Sequence, residues 1–234
     1  MRMVLIAAVL VLAASVAVAQ DDKPLANEPV PFPHPSITEV LFHVPQDSEG
    51  DPSLDGVREA VGDEFIEIAN LHDKAIDIGG YTLTDRGAQI TFTFPAMKLQ
   101  PGEIAVVFNG RETEIPGPVG GATALPDAPN ANYLNAWVFN IGNTSRMKAL
   151  NNQNDRVVLA SPDGLPVDII MWGASDMRDY TSNPRIAFVR PSPKCSVQRV
   201  RDTGELLPHK EIDGAWFSPG WIPERVTVAE ADPE

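Results

Sequence analysis

DEFIEIANLHDKAIDIGGYTLTD, residues 63–85, reads as strand, tight loop and strand. Phe65, Ile66 and Ile68 are interleaved with Glu64, Glu67 and Asn70, the pattern of a half-buried strand with its carboxylates turned outward. Asn70 to Asp73 is rich in turn formers, because short polar side chains bond to nearby backbone. Ile76 and Ile78 re-enter the core, Gly79 and Gly80 punctuate, and Tyr81, Leu83 and Asp85 begin the next strand.

The same vocabulary continues on both sides. Ile37 to Val44 is β-branched and aromatic and predicts the first strand, with His43 inside it. Gln89 to Phe94 alternates Ile90, Phe92 and Phe94 with Thr91 and Thr93, and Pro95 ends it. A Pro-Gly turn at 101–102 leads into Ile104 to Phe108, an apolar run expected of an interior strand. Arg156 to Ala160 and Leu165 to Trp172 flank Ser161 to Gly164 and predict a hairpin. Ile186 to Val189 is expected to add an edge strand, and Ser196 to Val200 is the last clear one. Eight to ten short strands separated by turns, with almost no helical period, make an all-β antiparallel sandwich.

Two long insertions interrupt it, residues 109–149 and 173–194. The first holds Tyr133 and Trp137 in an aromatic stretch, 131–141, expected as a short helix or a strand across one end of the sandwich. The second begins polar and charged, with Arg178, Asp179 and Tyr180. Trp216 and Trp221 lie in the closing aromatic segment. Between the first two strands runs an acidic loop, 45–62. Its Asp51, Ser53 and Asp55, followed by Gly56, have the oxygen spacing of the first half of a calcium loop. The closing carboxylate falls on Gly62 and is missing there; Asp63 and Glu64 come one and two residues late.

The ends are simpler. Residues 1–19 combine a basic start, an apolar run and small residues at Ala17 and Ala19, and predict a secretory signal peptide cleaved after Ala19. Val4 to Ala19 falls short of the ~20 residues of a membrane span. No other stretch predicts one, so no span is expected after cleavage. Residues 20–36 form a proline-rich linker, 37–223 the sandwich domain, and 224–234 an acidic tail. Secretion, or retention in the periplasm or at the cell surface, is the expected location.

Eighteen basic residues against 32 acidic ones give a net charge of −14, and losing residues 1–19 removes only the cation Arg2. A nucleic-acid binder needs a basic face to neutralise phosphates, so that class is disfavoured. Cys195 is the only cysteine, which rules out an intrachain disulfide; it reads as a small semi-buried apolar residue, with an intermolecular bridge as the alternative.

Ordered short motifs resemble the lamin tail domain family in its bacterial secreted form. They are Ile37 to Val40, Asp63 to Asn70, Asp77 to Asp85 with Tyr81 at a usual tryptophan, Phe94-Pro95, Leu99 to Gly102 and Val106-Val107. Then come Asn151 to Leu159, Asp163-Gly164, Val167-Asp168, Ser196 to Arg199 and Ser218 to Gly220. The resemblance implies an immunoglobulin-like sandwich that works as an interaction, adhesion or surface-structural module, without catalytic residues. Asn70 and Asn154 are expected to bond turn backbones, and Asp155 to pair with Arg199.

Three functions follow for comparison. The first is a secreted, non-enzymatic module binding a protein or cell-surface glycan. The second is a calcium-dependent or carbohydrate-binding sandwich, with Asp51, Ser53 and Asp55 around the ion and Tyr133, Trp137, Trp216 and Trp221 stacking on sugar rings. The third is a hydrolase. His34, His43, His72 and His209 are the only histidines, in no metal-ligand spacing, and there is no G-x-S-x-G elbow.

Overall fold

The structure, a computed structural model, describes residues 30–46, 49–173, 184–191 and 193–224. The expected signal peptide, most of the linker, Arg178 to Tyr180 and the tail beyond Glu224 lie outside the described residues.

Thirteen short strands are described: β1 Ser36–Leu41, β2 Phe65–Ala69, β3 Ile76–Asp77, β4 Thr82–Asp85, β5 Thr91–Thr93, β6 Lys98–Leu99, β7 Ile104–Phe108, β8 Trp137–Asn140, β9 Asp155–Ala160, β10 Pro166–Trp172, β11 Arg185–Val189, β12 Val197–Arg199 and β13 Leu206–Pro208. One sheet runs β13-β12-β1-β2-β7-β8 and the second β11-β10-β9-β4-β5, with β3 and β6 as a separate pair. The decisive stretch supplies β2, β3 and β4, and so contributes to all three sheets. The fold is the all-β sandwich that the alternation predicts.

The two main sheets face each other across one core. Ile37, Val40, Ile66, Ile68, Val107, Phe139 and Val197 project from the first. Leu83, Phe92, Val157, Leu159, Ile170 and Trp172 meet them from the second. Phe42 stacks on Trp172 with ring centroids 3.9 Å apart. The linker does not stay outside this core: Val30 is buried in it, so packing starts ahead of Ile37.

Most strand pairs are antiparallel, but β7–β8 and β10–β11 are parallel. A parallel neighbour cannot be reached through a tight turn and needs a crossover of about a dozen residues or more. Residues 109–136 and 173–184 are those crossovers. The insertions therefore begin as obligatory connections to parallel edge strands. β6 and β13 are too short to register in the sequence pattern.

The outward face of the six-stranded sheet is covered. Leu41, Phe65, Ala69, Val106 and Phe108 pack beneath Tyr133, Ala136 and Ile222. This third layer comes from the first crossover and the carboxyl-terminal segment. It corrects the expectation for Glu67, which is 0% exposed; Glu64, just before β2, is 3% exposed for a different reason, accepting from Asn109 Nδ2 and the Leu150 N–H at the edge of the inter-sheet core. Strand alternation sorts residues by face, but cannot tell water from a covering layer.

Candidate functional site

Glu39 of β1 and Glu67 of β2 are register partners and sit side by side under the third layer. Thr38 Oγ1 donates to Glu67 Oε1 at 2.6 Å, and the Gly220 N–H donates to Glu67 Oε2 at 2.8 Å. Burial and then the neighbouring Glu39 carboxylate push the Glu67 carboxyl well up, against those two hydrogen bonds. Ser196 Oγ and the Ser218 N–H both donate to Glu39 Oε1, the latter at 3.0 Å.

His209 completes the cluster. Its Nδ1 lies 3.1 Å from Ser196 Oγ and 3.2 Å from Glu39 Oε1. Its Nε2 is 3.3 Å from Asp213 Oδ1, close enough for an ion pair though not aligned as a hydrogen bond. Burial alone would lower the His209 pKa; Glu39 and Asp213 outweigh it and raise it. A serine, a histidine and an aspartate in this order have the composition of an acyl-transfer triad. Here Ser196 and His209 are both 0% exposed. A nucleophile must reach a substrate carbonyl, and neither residue borders the two large surface depressions. The cluster is a buried polar lock joining β1, β2, β12 and the carboxyl-terminal segment.

The acidic loop is also committed internally. Asp51 accepts from Ser53 Oγ at 3.0 Å and from the Gly56 N–H at 2.8 Å. Asp55 accepts from the N–H groups of Val57 at 2.8 Å and Glu114 at 2.9 Å. Among the described residues no group of three or more histidine, cysteine or acidic side chains is placed to hold a metal ion. Asp63, rather than a liganding carboxylate, is the notable acid: burial, with Asp51 and Asp55 nearby, pushes it up to about 6.

The four aromatic candidates separate. Tyr133 is 1% exposed, packs on Phe108 and donates to Ser53 O at 2.7 Å, so it pins the loop and offers no ring face. Trp137 is partly buried against the core. Trp216 carries the Lys210 ammonium 2.9 Å above its ring. Trp221 alone is well exposed, at 48%, beside Arg201, whose guanidinium carbon is 5.3 Å from its ring. It walls a depression of about 440 Å³ with Leu134 and Asn135.

The smaller expectations divide likewise. Asn70 does brace its turn, donating to Lys74 O and Leu99 O and accepting from the His72 N–H. In the second turn Asn151, not Asn154, is the acceptor: its Oδ1 takes the N–H groups of Gln153 and Asn154. Asp155 accepts from the backbone of Arg86, Asn151 and Arg156. Arg199 instead donates to Ile37 O and Gly204 O, beside Asp168 and Arg185. Cys195 is a buried free thiol, pushed up by burial, which fits the small apolar reading. Arg201, at the junction of two surface depressions, has no sequence motif that marks it.

A protein-family model described as Lamin Tail Domain matches residues 34–174. No curated protein matches the chain. The matched segment ends before β11, β12 and β13, yet β12 pairs directly with β1, so the folded unit extends past it.

Proposed function

The chain belongs to the lamin tail domain family, and from that premise we propose that it is a secreted, non-enzymatic binding module for a protein partner. Lamin tail domains are immunoglobulin-like and generally serve as protein-interaction or structural modules. The observation that carries the reading is the division of polar groups. The triad-like residues and paired glutamates are sealed under a third layer, while Leu134, Trp221 and Arg201 stand in water around a depression. Among the described residues no helix is long and apolar enough to cross a membrane.

Secretion rests on residues 1–19 and is tested by amino-terminal sequencing of the exported protein: a start at Gln20 supports it, and retention of Met1 opposes it. The binding role is tested by affinity capture with the full chain. A partner held at about one-to-one stoichiometry supports it. Turnover of an ester, phosphodiester or glycoside panel, lost on Ser196→Ala, would replace it with a hydrolase. A glycan ligand is the second reading, favoured by the exposed ring of Trp221. A glycan array with and without millimolar calcium tests it, and an array without hits removes it.

A further inference from the structure

On the covered face of the six-stranded sheet, one row of side chains begins polar and ends apolar. Gln198, Glu39, Glu67 and Val106 lie in register across β12, β1, β2 and β7, and all four are 0% exposed. The β1–β2 register slips by one residue between Ile37 and Glu39, a bulge that brings both Thr38 and Glu39 against Glu67. Directly opposed residues on antiparallel strands hold their Cβ atoms ~5 Å apart, so two carboxyl groups share one dry compartment. Both Glu67 oxygens accept hydrogen bonds, one from Thr38 and one from the Gly220 N–H. Glu39 Oε1 takes Ser196 Oγ, the Ser218 N–H and His209 Nδ1, while Oε2 is buried with no donor. Two adjacent charges here repel in surroundings that cannot screen them. A proton on Glu67 removes one charge and offers Glu39 Oε2 a donor.

The other wall of the compartment is the segment laid over it. His209, Asp213, Ser218 and Gly220 all follow β13, and this segment meets the sheet's two glutamates through His209 and the N–H groups of Ser218 and Gly220. Among the described residues, His209 is the one basic side chain bonded to either glutamate. The other ionisable groups nearby are engaged elsewhere. Lys210 lies over the Trp216 ring and Glu211 pairs with Arg190. Tyr133 commits its hydroxyl to Ser53 O, and burial raises the Cys195 thiol. Beyond Gly220, Ile222 O and Pro223 O accept from Arg201 Nε and its N–H, both at 3.1 Å and independent of either carboxylate.

We propose that residues 209–220 form a proton-operated latch over the six-stranded sheet: one proton held between Glu39 and Glu67, with His209 charged, keeps it shut, and loss of those protons as pH rises releases it while the two-sheet sandwich stays folded. Release uncovers the paired glutamates and the apolar side chains beneath Phe217. Burial and then Glu39 raise Glu67 above its ordinary 4.5; against burial, Glu39 and Asp213 raise His209 above 6.5. Each contribution is therefore full below the ordinary value and lost as pH climbs through the raised one. With both protons gone, Glu39, Glu67 and Asp213 are anions facing a neutral imidazole, and the carboxyl pair titrates as a unit. The latch goes beyond the binding-module reading, since it belongs to the chain with or without a partner.

Hydrogen exchange of the full chain, read by mass spectrometry and corrected for the intrinsic rate at each pH, tests it. Peptides covering residues 209–220 are expected to lose at least about tenfold in protection between ~pH 6 and ~pH 9, since one proton yields up to about tenfold per pH unit. Peptides from β9 and β10 are expected to keep theirs. The infrared carbonyl stretch of a protonated, water-shielded carboxyl is expected at the lower pH, fading at the higher one and missing from Glu67→Gln. That variant carries a permanently neutral amide, and the pH dependence of its 209–220 protection is expected to fall by about half or more, His209 supplying the rest. Near-ultraviolet circular dichroism establishes that it is folded. Protection of residues 209–220 that is constant with pH, or that is lost in step with β9 and β10, overturns the proposal. So does an unchanged pH dependence in folded Glu67→Gln. If Glu67→Gln does not fold, the wild-type band decides, and its absence at the lower pH overturns the proposal equally.

Discussion

Asp63 is buried with Oδ1 unpaired, while Oδ2 accepts from the Glu59 N–H at 2.5 Å. Its folded pKa of about 6 exceeds the ordinary 3.8 because burial disfavours the charge. The unfolded chain therefore loses this proton first as pH rises. Its contribution to stability is full below about pH 4, falls through the window up to pH 6, and is gone above it. Asp63→Asn keeps an acceptor for Glu59 and removes the charge. Urea unfolding is expected to show a flatter pH dependence between 4 and 6 and a gain on the order of 1 kcal/mol at pH 8. An unchanged slope would contradict the assignment. Asp168 holds an ion pair. It is 0% exposed, pairs with buried Arg185 and accepts from the Ile37 N–H at 2.8 Å. Asp168→Asn removes the carboxylate charge from a buried ion pair and is expected to lower stability by roughly 3–5 kcal/mol in the same assay. Neither role is written in the local sequence. Asp168 looks like any strand acid until Ile37 and Arg185 reach it, and Asp63 takes its character from the loop before it, where Glu59, Asp51 and Asp55 fold close.

Elements were legible where the pattern was long. The Asp63–Asp85 stretch yields its strands with boundaries shifted by a residue or two, and the Pro166–Trp172 hairpin arm forms with Gly164 at φ +81° in its turn. What the pattern could not carry was the partner of each strand. The stretch 131–141 is both things expected of it, a 3-10 turn at Ala131–Tyr133 followed by β8. Its parallel pairing to β7 follows from the crossover before it, not from its own residues. The covering layer depends on a few contacts of similar range. Gly220 holds φ +92°, and a Cβ there would stand 2.2 Å from Tyr133 O. Its N–H also caps Glu67. Gly220→Ala is expected to lower stability by roughly 2–4 kcal/mol through backbone strain and the loss of that cap. Thermal unfolding with no shift would show that the layer is not locked at this point.

At the scale of the molecule, a two-sheet sandwich carries a third layer that covers a triad-like set and leaves Leu134, Trp221 and Arg201 exposed around one depression. Composition gives the net charge but not where the arginines meet: Arg185, Arg199 and Arg201 come together only when β11 and β12 take their places in different sheets, and of the three only Arg201 is exposed. His209 and Glu67, both with raised pKa values, add to the same trend as Asp63: their stabilising protonation is lost as pH rises through the folded-state values. The most direct test of the binding-module account places a photoreactive phenylalanine analogue at Leu134, whose side chain is 63% exposed at the depression, and irradiates the full chain with its captured partner. The account predicts one cross-linked species at one-to-one stoichiometry, with its yield sharply reduced by Trp221→Ala, which removes the exposed ring from the same depression. A captured partner that never cross-links at Leu134 but does so from an analogue at Phe188, exposed on β11 of the other sheet, would contradict it.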